Sequence, residues 1–311
     1  MAFDREQMKA KAAELARDGV YIGTSSWKYP GWIGLLYTRD RYEYRGKLAE
    51  ARFKRDSLRE YAEVFKTVCV DAAYYSFPTI QYLQGLAEQV PDDFRFGLKV
   101  TDDITIKRFA NLARFGDRAG KVNARFLNHD LFSTGFLGPC EHIRQKIGVI
   151  IFEFSKFHAR DYSSGRQFLA DLDAFLSELP EGWPIAVELR NRSWLVPDYF
   201  RCLSSHGVAH VFNSWTEMPA VSDQMMLSGS RTSADLTAAR FLLKPGRTYE
   251  ESVKLFEPYA QTRELRAEER AAAARLVNEG LAEKRRTFVF ANNRLEGQAL
   301  NTLDGIVSMV S

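Results

Sequence analysis

Charged side chains stand near the ends of short, apolar segments in this sequence. Asp71, Lys99 and Glu153 each come at or next to the end of one such segment, and Glu188 and Arg190 close another. A carboxylate within reach of a lysine or an arginine can take part in proton transfer, and the cations can hold a phosphate or a carboxylate. Chemistry of this kind requires a fold that brings the ends of these segments together.

Eight apolar, β-branched or aromatic segments alternate with amphipathic stretches, a pattern that indicates parallel strands joined by helices. The predicted strands cover residues 20–24, 67–71, 94–100, 148–154, 184–190, 207–212, 240–244 and 287–292. The clearest helices are predicted at 53–65, 79–90, 167–179, 197–205 and 268–283. The 311 residues give about 39 residues for each of eight units, close to the size of a TIM-type barrel with insertions.

We therefore predict an α/β protein that forms a single (β/α)8 TIM-type barrel over residues 1–311, preceded by an N-terminal helix. An open, doubly wound sheet is the alternative. The extra length falls after strands one and three, where residues 33–55 and 102–145 are predicted to form long loops. No linker composition divides the chain.

The alternation of side chains along two strands predicts which charges point into the barrel. In residues 186–190, Glu188 and Arg190 share a face opposite Val187 and Leu189. The outer face of a barrel strand packs against helices, so Glu188 and Arg190 should point inward, and the same alternation places Lys99 inside. Buried charges are costly unless paired, so these groups need counter-charges or a ligand.

We expect the barrel mouth to recognise an anion and to carry acid–base chemistry, with Glu188 as the general acid or base. The catalytic candidates are Glu188, Lys99 and Glu153, and the substrate-binding candidates are Arg190, Arg240, Asn292, Asp71, Ser25, Trp27 and Tyr29. The expected partner is a small phosphorylated or carboxylated molecule, and isomerase, lyase and hydrolase reactions are each consistent with these groups. A site built for substrate should tolerate Glu188→Gln, whereas a network that only fills the barrel should not.

Two alternatives to a small-molecule enzyme are kept. The first is a barrel that processes nucleic acid, in which the same cations meet phosphodiesters and Trp27 stacks on a base. The second is a non-catalytic ligand-binding or scaffold protein. A binding affinity that falls steeply with salt concentration would favour the first alternative. A charged network for which no ligand is found would favour the second.

Composition limits the partners and the compartment. With 43 basic and 40 acidic residues the net charge is only +3, so an anion site must be local. Three cysteines are too few for a disulfide framework, which favours a reducing cytoplasm. The sequence has no signal peptide and no apolar stretch of about 18 residues, so we expect a cytoplasmic protein without membrane contact. It makes no prediction of oligomeric state.

The cofactor is left open. The sequence lacks GxGxxG and Walker motifs, and its five histidines show no HExxH or paired-ligand spacing. A cation bound by the carboxylates Glu153, Glu188 and Asp71 is conceivable, but the expected site contains no metal.

Four blocks of this sequence resemble the YecE-like family, domain of unknown function seventy-two. They are IGTSSWKYPGW at 22–32, PDDFRFGLKV at 91–100, VELRNRSW at 187–194 and FVFANN at 288–293. The resemblance runs from residue 22 to the carboxyl terminus and implies a TIM-type barrel and a cytoplasmic protein whose activity is unassigned. Segments 130–139, 242–249 and 292–297 resemble a longer-looped subgroup.

Two positions depart from the family pattern. Many members resemble Thr-Val-Glu-Ile-Asn where this chain has Cys69 in the sequence TVCVD, and many have a histidine where Ile106 stands. If that glutamate or histidine carried a shared reaction, this protein would lack it.

Overall fold

The computed structural model describes residues 3–311 and contains a closed barrel of eight parallel strands. Each strand pairs with its neighbours in chain order, and β8 pairs with β1 to close the barrel. The predicted (β/α)8 architecture is therefore confirmed. The strands are β1 Val20–Thr24, β2 Thr67–Val70, β3 Arg95–Lys99, β4 Ile147–Phe154, β5 Ile185–Leu189, β6 Ala209–Ser214, β7 Leu236–Phe241 and β8 Arg286–Ala291.

Helices precede β1 and connect the successive strands. The longer ones are α1 Arg5–Arg17, α2 Glu50–Val64, α3 Ile80–Ala87, α4 Gly165–Ser177, α5 Pro197–Ser205, α6 Val221–Met226, α7 Tyr249–Phe256, α8 Ala267–Glu283 and α9 Ala299–Val307. Among residues 3–311, no helix combines the length and the apolar character needed to cross a membrane.

Shorter segments occupy the connections. They are Pro30–Trp32, Arg39–Tyr42, Ala72–Tyr75, Asp102–Thr105, Ala113–Arg118, His129–Leu131, the π-helix Phe132–Leu137, Gly138–Cys140, Glu141–Lys146, Arg192–Trp194 and Asn293–Glu296. Glu43–Tyr44 and Lys47–Leu48 form a small antiparallel hairpin. The predicted loops at 33–55 and 102–145 thus contain helical turns. Residues 50–55 belong to α2, whose charged first turn hides its start from an apolar pattern.

The barrel interior is filled by a cluster of apolar side chains from alternate strand positions. It includes Cys69, Val149, Ile151, Ala186, Val211, Ala238, Phe288 and Phe290. The intervening strand residues belong to the larger core shared with the helices. The period-two alternation therefore places Lys99, Glu153 and Glu188 inside the barrel, one layer closer to its carboxyl end.

The prediction of the seventh strand at residues 240–244 is wrong in its boundaries, because it starts further along the chain than the strand in the structure. In the structure β7 spans Leu236–Phe241; the small Ala238 occupies the crowded interior and Ala239 faces the helices, and because alanine is uncommon in strands the apolar pattern does not mark the start of β7. Arg240 consequently lies inside the strand. Lys244 lies beyond it, where its Nζ pairs with Glu264 Oε1 at 2.9 Å. The predicted sixth strand at 207–212 is likewise shifted to Ala209–Ser214.

Gly23 of β1 allows a close approach between β1 and β2, because a Cβ atom there would collide with the backbone carbonyl oxygen of Thr67. That oxygen belongs to a neighbouring strand and cannot move without disturbing the barrel. We expect Gly23→Ala to lower the free energy of unfolding by about 1–3 kcal/mol or more, measured by urea denaturation. Gly85→Ala in α3 is the control: a Cβ atom there meets open space, so this change should be neutral or stabilising. Equal stability of the two variants would contradict the prediction.

Candidate functional site

Six of the predicted site residues meet inside the carboxyl end of the barrel, and we call them the charged network. They come from β3, β4, β5 and β7 and from the residues that directly follow β2 and β5. Three are cations and three are carboxylates, so their formal charges cancel. The members are Asp71, Lys99, Glu153, Glu188, Arg190 and Arg240.

Glu153 is the centre of this network. Its Oε2 lies 2.9 Å from Lys99 Nζ and 2.9 Å from Arg190 Nη2, and it accepts a hydrogen bond from Arg240 Nη1 at 2.6 Å. Burial alone would raise the pKa of Glu153, but the three cations hold that pKa well below its usual range. Glu153 is therefore an ionised carboxylate that serves as the shared counter-charge of three cations.

Glu188 is completely buried and holds both arginines. Arg190 Nε donates to Glu188 Oε1 at 2.8 Å, and Arg240 Nη1 donates to Glu188 Oε2 at 2.5 Å. Glu153 and Glu188 are register partners on adjacent strands, so the two carboxylates would repel each other without the intervening guanidinium groups. The two arginines thus offset the repulsion between Glu153 and Glu188 and allow β4 and β5 to pair in this register.

Lys99 connects Glu153 to Asp71. Its Nζ lies 3.4 Å from Asp71 Oδ1 and 4.0 Å from the centre of the Tyr74 ring. Burial would lower the pKa of Lys99, but Glu153 and Asp71 raise it above its usual value, so the side chain is an ammonium ion. Schiff-base chemistry requires a neutral amine, and the raised pKa of Lys99 disfavours that form.

Asp71 differs from the other network members in its exposure. Its side chain is 37% exposed, whereas that of Lys99 is 8% exposed and that of Glu188 is inaccessible. Asp71 Oδ1 and Arg240 Nε are buried atoms without a hydrogen-bond partner among residues 3–311. The network is therefore electrically balanced but leaves polar atoms unsatisfied at two positions.

A cleft with a volume of about 370 Å³ lies beside the charged network and shares Arg190 with it. The guanidinium carbon of Arg190 lies 3.7 Å from the centre of the Trp215 ring, which also lines the cleft. The lining contains one carboxylate, Asp161, against six cations: Lys107, Arg108, Arg114, Lys156, Arg160 and Arg190.

Most of these cations already have a partner. Arg108 Nε lies 3.2 Å from Asp161, Arg114 Nη1 lies 3.6 Å from Asp102, and Lys107 and Lys156 pair with Asp171 and Glu217. Arg160 is exposed and forms no ion pair within residues 3–311.

Arg190 also has an unused donor group. It binds the network through Nε and Nη2, so its Nη1 group is not used there. Arg160 and Arg190 are therefore the cations that an incoming anion can approach with least competition.

Of the ten predicted site residues, Arg190 is the one that lines this cleft, and the four residues outside the charged network have other surroundings. Asn292 Oδ1 accepts from the backbone N–H of Arg294 at 3.0 Å and so caps the helical turn Asn293–Glu296. Tyr29 packs against Trp32 and Tyr259. Ser25 and Trp27 are buried, and Ser25 Oγ and Trp27 Nε1 have no hydrogen-bond partner in the described chain.

Apart from Arg190, sequence reasoning missed the cleft residues because they lie on loops rather than at strand ends. Lys107, Arg108 and Arg114 follow β3, Arg160 follows β4, and Trp215 follows β6. The one signal in the sequence is the density of lysine and arginine between residues 107 and 125. Which face of a loop meets the barrel mouth depends on packing that no local pattern specifies.

Residues 21–311 match the family described as "Protein of unknown function DUF72". The chain belongs to this family. A comparison of the sequence with curated proteins gives no match. The DUF72 assignment agrees with the resemblance seen in the sequence blocks, and it assigns no activity.

Solved structures of DUF72 proteins share this fold. A DUF72 family protein (EF0366) from Enterococcus faecalis V583 is 17% identical, with a TM-score of 0.62 over 94% of this chain and 95% of that chain. A DUF72 family protein (TM1631) from Thermotoga maritima MSB8 is 20% identical, with a TM-score of 0.59 over 93% of this chain and 97% of that chain. At these identities the likeness shows the barrel fold alone.

The two positions at which the sequence differs from the resemblance lie in the barrel interior and in the cleft. Cys69 is buried in the barrel interior, where burial raises the pKa of its thiol to about 12, so it is neutral. Ile106 lines the cleft. The cleft of this protein therefore has an aliphatic side chain where the resemblance implies an imidazole in many relatives.

Proposed function

We propose that this protein binds a small phosphorylated or carboxylated molecule in the cleft and acts on it as an enzyme. The observation that carries the proposal is that two of the six cations in the lining keep donors available: Arg160 has no ion pair within residues 3–311, and the Nη1 group of Arg190 is not used by the charged network. Anions are held in proteins by such converging lysine and arginine side chains. The position at the carboxyl end of the barrel, next to the charged network, is where barrel enzymes carry their active sites.

The size of the cleft favours a small ligand. Its volume of about 370 Å³ falls within the range of small-molecule pockets. An anionic group would bind Arg160 and the free Nη1 of Arg190, and the Trp215 ring would cover an apolar part of the ligand. The balanced network beneath would keep Arg190 in place without neutralising the cleft.

We propose Asp71 as the proton acceptor, in place of Glu188. Glu188 is inaccessible and both of its oxygens bind arginine, so it acts as a positioning residue for Arg190 and Arg240. Lys99 and Glu153 supply fixed charge. Asp71 is the accessible carboxylate of the network, and its carbonyl oxygen accepts from the N–H of Tyr74, a cleft residue.

Arg160→Ala tests the anion site. Because Arg160 is exposed and without an ion pair in the described structure, its loss should leave stability unchanged but weaken anion binding roughly tenfold, the effect of removing about 1.5 kcal/mol of charge-assisted hydrogen bonding. Calorimetric titration with inorganic phosphate, and then with sugar phosphates and hydroxy acids, measures this loss.

The matched control is Arg275→Ala, which removes an equally exposed arginine from α8, away from the cleft lining. It should bind each anion as the unmodified protein does. Equal affinity of all three proteins for every anion would refute the site. Screening the same compounds for product formation distinguishes an enzyme from the non-catalytic ligand-binding alternative, which predicts binding without turnover.

A further inference from the structure

Three side chains of different types meet on the outside of the barrel, between α4 and α5. Asp173 lies on α4, Cys202 lies on α5, and His206 directly follows α5. One ligand atom from each lies within 4.8 Å of the others. We propose that Asp173, Cys202 and His206 bind a zinc ion.

The distances are close to those of a zinc site. Asp173 Oδ1 lies 2.8 Å from His206 Nε2 and 3.8 Å from Cys202 Sγ. Zinc bonds of about 2.0–2.3 Å in a tetrahedron place neighbouring ligand atoms roughly 3.2–3.8 Å apart. Small side-chain rotations are therefore enough to admit the ion, and the backbone does not have to move.

The local sequence explains why two of the ligands converge. Cys202 and His206 are four residues apart, so they lie on one face of α5 and its last turn. Asp173 reaches them from α4, the helix that packs against α5. The cluster thus depends on the packing of two consecutive helices on the barrel.

The chemistry of the three groups favours zinc over harder cations. A thiolate, an imidazole and a carboxylate form a mixed set of S, N and O donors, which suits zinc, whereas calcium and magnesium require oxygen ligands. Three protein ligands leave a fourth position for water. An ion can reach the site from solvent, because the Asp173 side chain is 62% exposed and that of His206 is 20% exposed.

A cysteine nucleophile is a less suitable reading of the same residues. In a Cys–His–Asp triad the histidine stands between the thiol and the carboxylate, but here Cys202 Sγ and His206 Nε2 both contact Asp173 Oδ1.

The position of the cluster separates the ion from the charged network. His206 and the following Gly207 come just before β6, so the cluster lies toward the amino-terminal end of the barrel strands, away from the charged network. That end of a TIM-type barrel serves stability rather than catalysis. The zinc ion would link α4 to α5.

Cobalt(II) provides a direct test because it occupies zinc sites and absorbs light. We expect the purified, metal-free protein to show a near-ultraviolet thiolate-to-cobalt band at one equivalent, which zinc abolishes by displacement. Cys69 and Cys140 are fully buried, so the band has to come from Cys202. Cys202→Ser should lose the band. Even loss of an outer-shell partner costs metal sites roughly 10–100-fold in affinity, so loss of the thiolate should weaken zinc binding at least as much.

The accessibility of Cys202 gives an independent measurement. A water-soluble alkylating reagent should modify one thiol per chain, and stoichiometric zinc should slow that reaction at least tenfold. Asp173→Asn and His206→Gln should each remove the protection, whereas His142→Gln, at an exposed histidine elsewhere, should retain it. Circular dichroism verifies that each variant is folded. Absence of the cobalt band, or alkylation that is indifferent to zinc, would overturn the proposal.

Discussion

Replacing Glu188 with alanine should lower the free energy of unfolding by about 3–5 kcal/mol, because it leaves two buried arginines with too little negative charge. Glu188 is inaccessible and accepts from Arg190 and Arg240. After the substitution, three cations would share Glu153 and the partly exposed Asp71. Urea denaturation, with the unmodified protein as reference, measures the loss.

Glu188→Gln distinguishes charge from shape at the same position. The amide preserves the size of the side chain but leaves the network with an excess positive charge, so we expect a large part of the same destabilisation. Glu217→Ala is the surface control: Glu217 is 56% exposed and pairs with Lys156, so its loss should cost no more than about 1 kcal/mol. Unchanged stability of Glu188→Gln would show that the network tolerates imbalance, as the sequence alone predicts for a substrate site.

The charged network could be predicted from sequence because its members follow local rules. The alternation of Glu188 and Arg190 with Val187 and Leu189 is visible in five residues, and a closed barrel turns one face of each strand inward. Arg240 shows the limit of this reasoning. The sequence pattern predicts a strand that starts too far along the chain, but it correctly predicts that Arg240 lies at the carboxyl end of the barrel. Residue types at strand ends are thus more robust predictors than strand boundaries.

The cleft and the cluster of Asp173, Cys202 and His206 depend on contacts between distant residues, which no local pattern contains. Arg160 and Trp215 come from different βα loops, and their meeting reflects how those loops pack above the strands. Cys202 and His206 do have helical i, i+4 spacing. A search for two histidines or two cysteines at this spacing does not find them, because the pair contains one residue of each type. Asp173, the third ligand, is 29 residues away from Cys202 and joins them only through helix packing.

The barrel strands and the loops carry charges of different kinds. Rigid strands hold six charges that cancel, which keeps a buried layer stable and fixes Arg190. Four of the five loop cations at the cleft pair with acidic residues, and Arg160, which has no ion pair within residues 3–311, is exposed to solvent, where an unpaired cation costs little.

Acidification from pH 6.5 to pH 5 should cost this protein about 2 kcal/mol of stability through His210 alone. His210 lies on β6, fully buried between aromatic rings, with its Nδ1 3.1 Å from the Tyr199 hydroxyl. Burial lowers the pKa of His210 from 6.5 to about 3. In this pH range His210 binds a proton in the unfolded chain but not in the folded chain, so the free energy of unfolding falls as the pH falls.

The lowering of the His210 pKa from 6.5 to about 3 corresponds to roughly 5 kcal/mol once the pH is well below 3. Glu153 contributes at lower pH: its depressed pKa provides stability above the unfolded value of 4.5, and that stability is lost as pH falls through the folded pKa. The interval between pH 6.5 and 4.5 therefore contains the loss due to His210 and lies above the titration of Glu153. Urea denaturation across this interval should give a steep slope for the unmodified protein and for His142→Gln, and a nearly flat one for His210→Phe, whose ring fits among Tyr199, Phe200 and Phe212. A slope that persists in His210→Phe would show that other groups cause the acid sensitivity.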